Sequence, residues 1–328
     1  MIFIDRLIES VINKKNPSVV GLDTRIEYVP VSMRKVCDEE YGCGAQASAE
    51  AIYRFNVKLI DSVKDIVPAV KPQMAFYELY GRYGAEAFIK TANYARDCGL
   101  VVITDAKRGD IGFTASLYAD AYLSAPALST EGAGVDTGRD SGGADGLYFT
   151  DALTVNPYLG IDGISPFIDN CRKYDKGIFI LVKTSNPSSG DFQDLELKNG
   201  EKLYEHIAGK VGEWAYGDGL LGDYGYSSVC AVVGATYPEQ AKALRERLKR
   251  IYFLVPGYGA QGGGADDAAA AFDGAGLGAI VNASRSVALA WEHERWNGKF
   301  SHDNFDDAAR AEALRMKSEI NRAINAPD

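Results

Sequence analysis

Histidine is scarce in this chain. Only His206, His293 and His302 occur in 328 residues. His206 and His302 fall in polar, helix-like stretches, which argues against a histidine-built metal centre or a Ser-His-Asp triad. The five cysteines (Cys37, Cys43, Cys98, Cys171 and Cys230) form no C-x-x-C pair, and their number is odd. Reduced thiols in a cytoplasmic protein are the expected state. No apolar run approaches the roughly 20 residues needed to span a bilayer. Met1 to Asn16 reads as an amphipathic helix rather than a signal peptide, because Asp5, Arg6 and Glu9 interrupt its apolar residues. Basic charge is also in deficit. Lys and Arg total 35 against 45 Asp and Glu, a net charge of −10. That argues against nonspecific nucleic-acid binding, and it means an anionic ligand would need a local cationic site.

What is present is an ordinary apolar content, 46%, arranged as a repeat. Short apolar runs alternate with longer helical stretches. The predicted strands are Val19–Leu22, Ala69–Lys71, Leu100–Thr104, Ala152–Val155, Gly177–Val182, Val229–Val233, Ile251–Val255 and Ala279–Val281. The helices between them include Ser48–Ile66, Arg82–Asp97, Thr114–Leu123, Ile164–Tyr174, Glu201–Tyr216, Pro238–Lys249 and Asp266–Phe272, with a last helix over about Asp303–Ile324. Strand–helix alternation implies parallel pairing with helical crossovers. Eight such units predict an α/β fold, a single (β/α)8 barrel domain over residues 1–328 with an N-terminal helix and loop insertions. Val31–Gln46, Ser124–Gly146 and Gly217–Ser227 do not fit the repeat and read as loops or insertions.

Chemistry in such a barrel gathers where strands end. The third predicted strand runs into Asp105-Ala106-Lys107-Arg108-Gly109-Asp110. Side chains two apart on a strand share a face, so Asp105 and Lys107 aim into one space. An isolated Asp-x-Lys also fits a structural salt bridge closing a strand end. However, Asp23 ends the first strand and Lys71 the second, and a structural role does not easily explain four charges converging on one mouth. The loop Gly257–Gly264 after strand seven offers unhindered backbone amides, with a helix just beyond. Gln261 in that loop and Arg285 after strand eight complete a candidate phosphate site. Lys183 reads as a surface or structural lysine and Arg25 as structural rather than catalytic. Asn156 also fits a turn bond before Pro157.

These residues resemble the orotidine 5′-phosphate decarboxylase family, in its longer bacterial branch. Asp105 to Gly112 looks like that family's D-x-K-x-x-D signature. The likeness continues through Phe3–Leu7, Gly21-Leu22-Asp23, Lys71-Pro72-Gln73, Thr154–Gly160, Thr184-Ser185-Asn186-Pro187 and Pro256–Gly263. The resemblance implies decarboxylation of orotidine 5′-phosphate to UMP without cofactor or metal. It assigns catalysis to Lys107, Asp105, Lys71 and Asp110. It assigns substrate binding to Asp23, Ile111, Thr114, Ser185, Gln261 and Arg285. It also implies a homodimer in which Asp110, Ile111 and Thr114 reach the partner's site, with no nucleic-acid or membrane partner. Two other readings of the same residues stay open. In one, Asp23 and Asp105 hold magnesium for enediolate chemistry on a sugar phosphate. The other is a nucleotide-binding barrel without turnover.

Overall fold

The computed structural model describes residues 1–124, 148, 150–259 and 262–326. Eight strands close into a barrel in chain order. They are β1 Ser18–Leu22, β2 Ala69–Pro72, β3 Val101–Arg108, β4 Ala152–Val155, β5 Gly177–Lys183, β6 Ser227–Val233, β7 Ile251–Val255 and β8 Ala279–Ala283. All adjacent pairs are parallel, and β1 also pairs with β8, which removes both sheet edges. The helices of the first half are α1 Phe3–Lys14, α2 Val31–Tyr41, α3 Ala45–Val63, α4 Ala75–Glu78, α5 Gly81–Asp97 and α6 Gly112–Leu123. Those of the second half are α7 Ser165–Tyr174, α8 Gly190–Gln193, α9 Leu203–Trp214, α10 Pro238–Arg247, α11 Ala265–Ala269, α12 Arg285–Ala288 and α13 Phe305–Ile324. Among the described residues no helix is long and apolar enough to cross a membrane.

The strands are buried on both faces, which is why they read as continuous apolar runs. Their two-residue period sorts them into two cores. Val19, Ala69, Ile103, Ala152, Phe179 and Ile280 pack together inside the barrel. Their neighbours Val20, Val70, Val102, Leu153, Ile180 and Val281 join the larger core under the helices. Helix α1 plugs the end of the barrel where the strands begin. Its Phe3, Ile4, Leu7 and Ile8 belong to the interior core. Phe3 meets Phe179 edge to face, with centroids 6.1 Å apart. Gly177 makes this possible, since a Cβ there would lie 2.1 Å from the Phe3 ring. Asp5, also buried, accepts the Asp223 and Tyr224 amides at 3.1 and 3.4 Å and so ties down the Gly217–Ser227 segment.

Some expectations need correction. Val31–Gln46 is not an irregular connection, because helix α2 spans most of it. Cys37 is the one buried residue of that helix, so it carries no apolar period to read. Strand β3 does not stop at Thr104 but runs through Arg108. The helix expected over Asp266–Phe272 is the five-residue α11. Beyond Ser124, the Ser124–Gly146 insertion lies outside the described residues.

Phe3→Ala should remove the centre of the plug and cost about 3–5 kcal/mol. Urea denaturation checks this. A loss below about 1 kcal/mol would mean the barrel floor closes without α1.

Candidate active site

The alternation that fills the barrel interior also builds its open mouth. Going up each strand on the inward face, Ala69 is followed by Lys71, Ile103 by Asp105 and Ala152 by Thr154. The Lys71 ammonium donates to Asp105 Oδ2 at 2.9 Å and lies 3.7 Å from Asp23 Oδ1. The Lys107 ammonium donates to Asp105 Oδ1 at 2.6 Å. The result is a continuous row, Asp23–Lys71–Asp105–Lys107, drawn from β1, β2 and β3. Lys71 is 3% exposed, so its charge depends on these neighbours. Burial works against the ammonium, but Asp105 and Asp23 outweigh it and hold its pKa up at about 12. Burial likewise favours neutral Asp105, but Lys71 and Lys107 hold its carboxyl well below the usual carboxylate range. Lys107 is the accessible end of the row, with its side chain 47% exposed to the mouth.

After β8, the other neighbour of β1, Arg285 opens α12 and lines a cavity of about 350 Å³ with Gly259, Ser286, His293 and Arg315. The glycine loop beside it is less open to an anion than its composition implies. The amides of Gly259, Gly262 and Gly263 are spent on carbonyls within the loop. The Gly264 amide donates to Asp267 Oδ2, and the first turn of α11 carries Asp266 and Asp267. Gln261 lies outside the described residues.

The chain matches the Orotidine 5′-phosphate decarboxylase / HUMPS family over residues 20–138 and 141–295. It is 40% identical to orotidine 5′-phosphate decarboxylase of Rhodopirellula baltica, over 98% of this chain and 99% of that protein. It is 39% identical to the Caldicellulosiruptor bescii enzyme of the same name, with the same coverage. Among solved structures, Leishmania donovani OMP decarboxylase superposes with a TM-score of 0.68 at 28% identity, covering both chains completely. Leishmania donovani UMP synthase gives 0.71 at 30% identity, and this chain spans 57% of that longer one. The chain belongs to the orotidine 5′-phosphate decarboxylase / HUMPS family.

The fold brings together Lys71, Asp105 and Lys107, three of the four residues to which the decarboxylase resemblance assigns catalysis, with Asp23, which it assigns to substrate binding. It does not bring Asp110 to them within one chain. The Asp110 carboxylate accepts the Ile111 amide at 2.8 Å, and among the described residues no ion pair joins it to Lys71 or Lys107. Ile111 and Thr114 are exposed beside it. Ser185 follows β5 and packs so closely on Gly234 that a Cβ there would come within 2.9 Å.

Lys183 is fully buried, bonded to both Asp194 oxygens at 2.8–2.9 Å and flanked by Tyr204 and Tyr237. Its role is structural, in the core rather than on the surface. Arg25 makes an exposed pair with Glu27. Asn156 accepts the Tyr158 amide at 3.0 Å, the turn bond expected before Pro157. The Tyr258 hydroxyl donates to Glu319 of α13. Thr154, which the sequence alone marks only as part of the Thr154–Gly160 likeness, touches Asp105 through its hydroxyl. The two-residue step from Ala152 was the signal for it.

Asp105→Asn should leave Lys71 without its main counter-charge and cost about 3–5 kcal/mol at pH 7. Because the folded carboxyl value is depressed, this stabilisation is present above the unfolded value of about 4 and fades as the pH falls below it. Denaturant curves at pH 7 and pH 3 should show the gap between wild type and variant narrowing in acid. An equal gap at both would mean that ionised Asp105 is not the source of the stability.

Proposed function

We propose that this chain decarboxylates orotidine 5′-phosphate to UMP, the last step of de novo pyrimidine biosynthesis, using its own charged side chains and no cofactor. What carries this reading is the Asp23–Lys71–Asp105–Lys107 row, whose exposed end is an ammonium. Loss of CO2 breaks the bond to C6 of the pyrimidine and leaves the electron pair on that carbon, with no π system positioned to absorb it. The Lys107 ammonium stabilises the pair as it develops and then delivers its proton to C6. Asp105 lies beside the departing carboxylate, and its Oδ1 receives the Lys107 ammonium and so aims it, while Lys71 holds the other Asp105 oxygen. Little rearrangement is needed, because the groups are already ion-paired in the resting site. Lys71 and Asp23 bind ribose hydroxyls, and Ser185 reads the pyrimidine edge. Gln261 and Arg285 take the phosphate. That group is remote from the reacting bond, so its binding energy serves to orient the substrate and dry the site.

A second copy of the chain completes the array with Asp110, Ile111 and Thr114. An exposed apolar band beside Asp110 supports this. Ile111, Phe113 and Leu117 are exposed there, with Leu159 and Ile161 in the turn that follows β4. That turn lies against Asp110, since a Cβ on Gly163 would meet the Asp110 carbonyl at 3.0 Å. Five cysteines free of disulfides suit a cytoplasmic, reducing setting.

Purified protein in EDTA should consume the orotate absorbance band and yield UMP. Turnover only with added magnesium and a sugar phosphate would instead favour the enediolate reading. Lys107→Ala should lower turnover by at least about 10³-fold while UMP still binds. Near-normal turnover would remove Lys107 from its role.

Mixing inactive Lys107→Ala with inactive Asp110→Ala should restore part of the activity, because a hybrid dimer holds one site free of both substitutions. No recovery, with subunit exchange demonstrated, would place Asp110 in its own subunit's site.

A further inference from the structure

Strand β3 loses register with β4 at the point where the chemistry begins. Thr104 pairs with Leu153, and the next partners are Arg108 and Val155. Four residues of β3 therefore advance against two of β4, a bulge that takes the intervening amides out of the ladder. Lys107 sits in this bulge with φ +48°, a left-handed conformation that a side chain makes costly. Buried amides without an acceptor would make it costlier still. A single side chain resolves both problems. Thr154 Oγ1, 1% exposed, accepts the Ala106 amide at 3.1 Å and the Lys107 amide at 2.9 Å. Its hydroxyl proton goes to Asp105 Oδ1 at 2.9 Å, the same oxygen that receives the Lys107 ammonium at 2.6 Å. One donor and two lone pairs are all that a threonine hydroxyl has, and all three are used.

We infer that Thr154 is a positioning residue for the decarboxylation: its hydroxyl sets the bend at Lys107 and fixes the Asp105 oxygen on which the Lys107 ammonium rests. This rests on the role of Lys107 proposed above. The hydroxyl, rather than the volume of the side chain, is what matters. A valine keeps the shape and loses all three bonds, whereas a serine keeps the bonds. Because Thr154 acts on the aim of the ammonium and not on the phosphate or ribose contacts, its loss should fall on the reacting state more than on ground-state binding.

The experiment measures kcat and KM for orotidine 5′-phosphate in the full-length protein and in Thr154→Val and Thr154→Ser. It also measures affinity for UMP and for a UMP analogue carrying an oxyanion at C6, which mimics the developing charge. Thr154→Val should lower kcat by about 100-fold, as a misplaced catalytic group does, with UMP affinity changed only a few-fold. It should lose affinity for the oxyanion analogue in step with kcat, and Thr154→Ser should recover most of both. If Thr154→Val does not fold, Thr154→Cys takes its place, since a thiol fills the site but accepts and donates weakly. A valine or cysteine variant within a few-fold of wild type would overturn the inference. So would equal losses for UMP and the oxyanion analogue, or a serine variant as damaged as the valine. Absence of wild-type turnover would overturn the functional reading and this inference together. Normal wild-type turnover with indifferent variants would overturn this inference alone.

Discussion

A lysine with almost no exposure to water, Lys71, is held charged by two carboxylates, and much of the mouth of this barrel follows from that arrangement. An ammonium in such a place is tolerated only when counter-charges are close and fixed. Asp105 at 2.9 Å and Asp23 at 3.7 Å meet that need, and each comes from a different neighbouring strand. The register between β1, β2 and β3 is therefore a condition of the electrostatics. Gly21 pairs with Lys71, and Ala69 with Val101, which sets the three strand ends at the heights where the charges meet. A slip of one residue would turn Lys71 from the mouth into the core beneath the helices.

The same row of charges accounts for the irregular backbone next to it. A regular β3 would keep its amides in the ladder and Lys107 in an extended conformation. The bulge instead bends the chain so that Lys107 reaches back to Asp105, two residues earlier. Strain of this kind persists where the surroundings over-determine it. Here those surroundings include Thr154 below the bulge and Arg108 just after it, whose guanidinium is bonded to Tyr122 and Glu78. The opposite end of the barrel is closed by apolar packing, with α1 filling it and Gly177 leaving room for Phe3.

Much of the fold was readable in the sequence because burial leaves a periodic trace. All eight strands were found, since each is apolar on both faces, and their ends supplied the charged residues of the site. The misses have physical causes. Helix α2 buries only Cys37 and so shows no period. The extension of β3 through Arg108 depends on pairing across a bulge, which no local pattern announces. Lys183 looks like any strand-end lysine until Asp194, Tyr204 and Tyr237 are folded around it.

By itself the sequence determined the repeating unit, the closed parallel architecture and the inventory of reactive groups, because these follow from short-range periodicity and residue type. Only the tertiary structure decided which groups meet. Lys71 and Asp105 are 34 residues apart, and Thr154 and Asp105 are 49 apart. Those distances in sequence are closed by barrel registration, a long-range packing outcome to which no local segment is sensitive. The direction of a hydroxyl proton or an ammonium depends on that registration to within a fraction of an ångström.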